Sequence, residues 1–125
     1  MDVTPLVKEG QQIVQSYAGG VFRISGQTYS SSVIVTPEAT IEINLNGDVQ
    51  VLTLDDFKPL FDFVADYDVF LFGSGAQMAF LPKELKNDLR SKGIAFDVMD
   101  TGAACRTYNV LMAEGRRVTA VLLPY

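Results

Sequence analysis

Val69-Phe70-Leu71-Phe72, closed by Gly73-Ser74-Gly75, decides the fold class of this chain. Four consecutive apolar residues, entered through Asp68 and ended by glycines, suit a strand buried on both faces, as strands of a parallel sheet are. Working outward toward the C-terminus, Pro82 opens a helix with Leu81, Leu85 and Leu89 on one face and Lys92-Gly93 as its stop. Ile94 to Val98 reads as a second strand. A further helix runs from about Gly102 to Ala113, ends at Glu114-Gly115, and leads into a last strand, Val118 to Leu123. Strands alternating with helices in this order imply parallel pairing through right-handed crossovers. On the N-terminal side, Leu54-Asp55-Asp56-Phe57 opens another predicted helix, with Leu54, Phe57, Leu60, Phe61 and Val64 at helical spacing and Pro59 within its first turns.

The first half of the chain has a different period. Ile13 to Tyr17, Val21-Phe22-Arg23-Ile24, Tyr29 with Ser32-Val33-Ile34-Val35, and the alternating Ile41-Glu42-Ile43-Asn44-Leu45 read as short antiparallel strands separated by Gly19-Gly20, Ser25-Gly26 and Thr36-Pro37. Asn46-Gly47 predicts a hairpin turn, with Val49 and Val51 continuing a partner strand. The fold class expected is α/β: a single three-layer domain over residues 1–125, with a central mixed, mostly parallel sheet, helices, and an added N-terminal antiparallel strand layer.

The residue census excludes much. The chain has 125 residues, no histidine, no tryptophan and one cysteine, Cys105. Ser-His-Asp and Cys-His pairs, histidine-ligated metals and an internal disulfide are thereby ruled out. Neither a cofactor nor a metal is expected. Residues 1–82 carry three basic groups against ten acidic ones, and residues 83–125 seven against five, which sums to the net charge of −5. Such an acidic chain repels phosphate backbones, so no nucleic-acid partner is expected. Its longest apolar runs are four residues, against the roughly 20 that a spanning helix needs, and Met1 to Leu6 lacks the form of an export signal. A cytoplasmic location is the expectation, with peripheral association to a membrane complex through a partner left open.

Two loops are candidates for chemistry. Gly73-Ser74-Gly75 and Asp100-Thr101-Gly102-Ala103-Ala104 both follow strands, at the carboxyl ends where open α/β sheets place ligand crevices. The second also opens a helix, whose N–H groups and dipole suit a small anion or carboxylate. Against that, Gly-Ser-Gly matches no phosphate-loop pattern, its glycines equally permit a tight turn, and Asp100 or Thr101 equally serves as an ordinary N-cap. Cys105 stands near a helix start beside Arg106, an arrangement that lowers thiol pKa values, yet a helical cysteine among alanines also reads as a small buried hydrophobe. Arg106 offers a fork for a carboxylate ligand, or for Asp97 or Asp100 in an internal ion pair. The candidate binding residues are thus Gly73, Ser74, Gly75, Asp100, Thr101, Gly102, Cys105 and Arg106, with no catalytic residue assigned. Two aromatics fall outside the predicted stripes, Phe63 on its helix and Phe80 in the loop Gln77-Met78-Ala79-Phe80-Leu81. Core packing is the first reading of the aromatics, and an apolar patch near the Phe80 loop would instead mark a protein contact.

Three stretches carry a resemblance. They are Val21-Phe22-Arg23-Ile24 with Tyr29 and Ser32-Val33-Ile34-Val35; Leu71-Phe72-Gly73-Ser74-Gly75 with Leu81-Pro82; and Gly93-Ile94 through Met99-Asp100-Thr101-Gly102-Ala103-Ala104-Cys105-Arg106-Thr107-Tyr108-Asn109, ending in Glu114-Gly115-Arg116-Arg117-Val118. The chain resembles a family of small uncharacterised bacterial and archaeal proteins, with a methanobacterial hypothetical-protein-like fold, that includes the mitochondrial assembly factor 3 of respiratory complex I. The resemblance implies a three-layer α/β fold, no settled catalytic activity, and a role in assembly through protein contacts. A non-catalytic interaction module with an unidentified protein partner is the first expectation. The alternative is a small-anion or carboxylate-binding protein or enzyme using the crevice between Gly73–Gly75 and Asp100–Arg106. Homodimerisation is expected only if an edge strand of the N-terminal meander is exposed.

Overall fold

The computed structural model describes residues 10–125. Among the described residues, eight strands form two sheets. In the first, β1 (Val14–Ala18), β2 (Val21–Ile24) and β3 (Gln27–Tyr29) pair antiparallel in sequence order. The second has five strands in the order β5-β4-β8-β6-β7, built from β4 (Ser32–Val35), β5 (Thr40–Ile43), β6 (Val69–Gly73), β7 (Phe96–Met99) and β8 (Val118–Leu122). The apolar run 69–72 lies in β6, between β7 and β8 and parallel to both. β4 joins β8 antiparallel and β5 joins β4 antiparallel. The sheet is mixed as expected, but its four pairings are two parallel and two antiparallel rather than mostly parallel. The N-terminal meander supplies two strands to this sheet as well as the separate layer.

The two faces of the large sheet bury different sets. One packs Ile34, Phe70, Phe72 and Val121 against Phe57, Leu60, Leu85, Leu89 and Ile94. The other packs Val33, Val35, Leu71, Ala120 and Leu122 against Phe22 and Ile24 of the small sheet and Ala104, Cys105, Tyr108 and Met112. The period-2 alternation of strand side chains accounts for this split residue by residue. Helix α1 (Lys83–Ser91) covers the first face through Leu85 and Leu89, and α2 (Thr101–Ala113) the second. Both agree with the sequence reading to within a residue or two.

Two expectations fail, each for a local reason. Residues 54–66 do not form an α-helix but two 3-10 turns, Leu54–Leu60 and Val64–Asp66. Pro59 stands beyond the first turn, where its missing N–H and its ring oppose α-helical bonding. The segment instead takes tighter bonds to residues three back: Phe61 N–H to Lys58 O, Phe63 N–H to Leu60 O, Asp66 N–H to Phe63 O. Asn46-Gly47 likewise makes no hairpin. Asn46 Oδ1 accepts the Asp48 N–H at 2.8 Å and Asp48 Oδ1 the Gln50 N–H at 3.0 Å. These side-chain turns wind the chain into a 3-10 turn, Val49–Val51, that buries Val49, and leave β5 at the sheet edge.

Thr119, fully buried in β8 opposite Phe70, is the one described residue whose buried side-chain polar atom has no hydrogen-bond partner. Thr119→Val keeps the shape, removes the stranded hydroxyl, and is expected to raise unfolding free energy by about 1 kcal/mol. Urea unfolding checks it; a loss of similar size would mean that the hydroxyl is bonded in solution.

Candidate functional site

Because β6 and β7 are parallel neighbours, the two candidate loops do meet. They meet so closely that they bond each other. Ser74 N–H donates to Met99 O at 2.9 Å, Gly75 N–H to Thr101 Oγ1 at 2.8 Å, and Thr101 N–H to Gly75 O at 2.9 Å. The Thr101 hydroxyl in turn donates to Leu123 O at 2.7 Å, tying the end of β8 to the same knot. Ser74 Oγ donates to Gln77 O at 2.8 Å and accepts the Ala79 N–H at 2.9 Å, which folds the loop back on itself. At the helix start, Asp100 Oδ1 accepts the Ala103 N–H at 2.9 Å, an N-cap. The N–H groups of Ser74, Gly75, Thr101 and Ala103 are thus engaged with the protein's own acceptors rather than offered to an anion.

The glycines have structural reasons to be there. A Cβ on Gly73 would sit 3.0 Å from Thr101 Cα and 3.1 Å from the Leu122 side chain, so β6 can approach the start of α2 only without one. Gly75 has φ +107°, in the region that favours glycine.

One turn into α2 the candidates part company. Cys105 turns into the core and is buried, whereas Arg106 is exposed. Burial pushes the thiol up from an ordinary 9.0 to about 12; Arg106 opposes the rise and Asp100 adds to it. The helix-start effect that would activate the thiol is outweighed by desolvation. Alkylation of Cys105 at pH 8 is expected to run about a thousandfold slower than that of a free cysteine, since three pH units separate the two thiols. A normal rate in native protein would sink the inert reading. The sign for stability follows: the raised thiol costs nothing below pH 9.0, and stability falls as pH climbs from there toward about 12, because the unfolded chain ionises first.

Arg106 Nη1 donates to the Tyr17 hydroxyl at 3.2 Å, and among the described residues no ion pair joins it to Asp97 or Asp100. Tyr17 stacks at a tilt on Tyr125, and its hydroxyl overhangs Gly102, where an added Cβ would lie 2.2 Å away. Tyr17, Cys105, Arg106 and Asn109 line an open groove of about 420 Å³ between β1 and α2. The next residues of α2 dock the small sheet. Asn109 accepts the Val14 N–H at 2.9 Å and donates to Val14 O at 2.8 Å, and the Tyr108 hydroxyl donates to Gln12 O at 2.8 Å.

A second groove lies along β7. Phe80 is 68% exposed and Met78 47%. Phe80, Leu81, Lys83, Lys86, Phe96 and Val98 line a groove of about 230 Å³. The sequence marked Phe80, but not the strand edge or the lysines beside it. Their signal was the order of charges on α1, where Lys83 and Lys86 line this groove while Glu84 and Asp88 line another, near Leu52 and Leu54.

Comparison with known proteins identifies the family of the chain. An uncharacterized protein of Rhodobacter capsulatus is 36% identical over 111 residues, 89% of this chain and 83% of its own length. NADH dehydrogenase (ubiquinone) 1 alpha subcomplex assembly factor 3 is 33% identical in Danio rerio and 30% in Homo sapiens, over 90% and 89% of this chain. The chain spans 64% and 60% of those two relatives. Among solved structures, an outer membrane protein from Bartonella henselae superposes with a TM-score of 0.81 at 35% identity, covering 92% of this chain and 96% of that one. A Mth938-like domain from Bordetella pertussis superposes with 0.80 at 25% identity, covering 99% and 92%. The family described as a protein of unknown function (DUF498/DUF598) matches residues 14–123, from the first residue of β1 to just past β8, and the chain belongs to that family.

Proposed function

We propose that the protein is a non-catalytic interaction module that works in assembling a respiratory or other membrane-associated protein complex. The observation that carries this reading is the exposed Phe80 and Met78 beside an apolar groove, since apolar surface held out of a core marks a contact site. Relatives named as assembly factors of a respiratory complex support the kind of complex. No helix among the described residues is long and apolar enough to cross a membrane, so on this reading a membrane complex is met through its protein subunits.

The test is a pull-down of the tagged full-length protein from its native cells at low salt, with membranes solubilised. Respiratory or membrane-insertion subunits are the expected recovery. Recovery of the bait alone would overturn the reading.

A carboxylate-binding role stands second, on one observation: Arg106 lines the groove beside α2 with its guanidinium on a tyrosine hydroxyl rather than a carboxylate. Its test is thermal stabilisation by phosphates, nucleotides or small carboxylates, lost in Arg106→Ala. No shift with any of them removes it.

A further inference from the structure

β7 ends the five-stranded sheet, with β6 on one side and no strand on the other among the described residues. In an extended strand, the N–H and C=O of one residue point to the same side, and successive residues alternate. Met99 O accepts the Ser74 N–H, so Met99 and Asp97 face β6 while Phe96 and Val98 turn their backbone groups outward. An edge of this kind is a template for another strand. The side chains of the same two residues, Phe96 and Val98, line the groove with Phe80. One edge therefore offers both backbone bonds and an apolar slot in register with them. The opposite edge, β5, has exposed Ile41 and Glu42, and none of its residues lines this groove.

Charge selects the occupant. The chain is acidic as a whole, yet both charged residues lining this groove are lysines, Lys83 and Lys86. The carboxylates of α1, Glu84 and Asp88, lie on its far flank. A basic rim on an acidic protein steers acidic segments in and its own acidic copies away.

We propose that the β7 edge docks an extended acidic segment of a protein partner, which adds as a sixth strand. An apolar side chain fills the slot between Phe80, Phe96 and Val98. A carboxylate two positions along, on the same face of the added strand, meets Lys83 and Lys86. This deepens the interaction-module reading and rests on it.

The experiment titrates the full-length, isotope-labelled protein with synthetic peptides of about ten residues, long enough for one strand. One alternates threonine with valine and glutamate, a second replaces the glutamates by lysine, and a third is the first with N-methyl groups on the bonding amides. The expected result is amide shifts and slowed hydrogen exchange at Phe96 and Val98 with the first peptide. Binding is expected to be about tenfold weaker for the lysine peptide, the effect of two rim ion pairs, and absent for the N-methylated one. Phe80→Ala and the Lys83→Glu/Lys86→Glu pair, both exposed changes that spare the core, weaken the first peptide. Equal binding of both charges, shifts elsewhere, or no binding overturns the proposal. So does a dimer in sedimentation that protects Phe96 and Val98, or protection of those amides that vanishes on deleting residues 1–9. The pull-down separates the two readings. Wild type recovering partners that the Lys83→Glu/Lys86→Glu variant recovers equally would leave the interaction module standing and remove this site.

Discussion

Thr101→Val, a change of almost no volume, is expected to cost about 2–6 kcal/mol, because two buried backbone groups each lose a partner worth about 1–3 kcal/mol. The hydroxyl accepts from Gly75 N–H and donates to Leu123 O, and the residue is fully buried. No other side chain links the ends of β6 and β8 to the start of α2 in this way among the described residues. Thr101→Ser keeps the hydroxyl and loses one methyl, at about 1 kcal/mol. Urea midpoints of the two variants decide the matter. If valine costs no more than serine, the hydroxyl is not the latch, and the space around Gly75 is again open to a ligand. The same substitution at Thr119 carries the opposite expected sign, because there the hydroxyl has no partner to lose. One chemistry, two outcomes, set by what each oxygen touches.

This contrast shows what a sequence can and cannot reveal here. The elements around the 69–72 run are legible, since a fully apolar strand and helices with Leu85 and Leu89 or Ala104 and Tyr108 inward have short-range signatures. Residues 46–66 are not. There, side-chain oxygens of Asn46 and Asp48 and the ring of Pro59 override the apolar period, and each acts over two to four positions without changing that period. The loops at Gly73–Gly75 and Asp100–Gly102 are legible as a meeting place, but not as a knot. Their bonds join residues 22 to 26 apart, and nothing local says that Leu123 ends within reach of Thr101. Cys105 shows the same limit in its electrostatics. A helix start and a neighbouring arginine are visible in the sequence, while the burial that outweighs them is tertiary. The β7 groove was half visible, through Phe80. Its lysines acquire meaning only once α1 is laid along the sheet with one flank toward β7.

Phe72→Ala carries the other large expected effect, a loss of about 3–5 kcal/mol, the range for emptying a buried aromatic site. Phe72 is fully buried, with ring centroids 6.0 Å from Phe57 and 5.6 Å from Phe96. Phe57 and Phe70 also pack on Phe96, at 5.6 and 6.3 Å. A domain of this size holds only about 5–15 kcal/mol in total, so the variant should unfold at much lower urea with an unchanged slope. Phe72→Leu, which keeps most of the volume, should lose less than half as much. The consequence reaches the surface, because Phe96 is both a wall of this cluster and a wall of the β7 groove. Removing the Phe72 ring frees Phe96 to turn inward, so a strand-forming peptide should bind Phe72→Ala more weakly although it never touches residue 72. Residues sharing a cavity couple, and the losses from Phe72→Ala and Phe96→Ala should sum to more than the double variant shows. Strict additivity would mean that Phe96 is held by the strand alone, and that the groove's shape owes nothing to the core behind it.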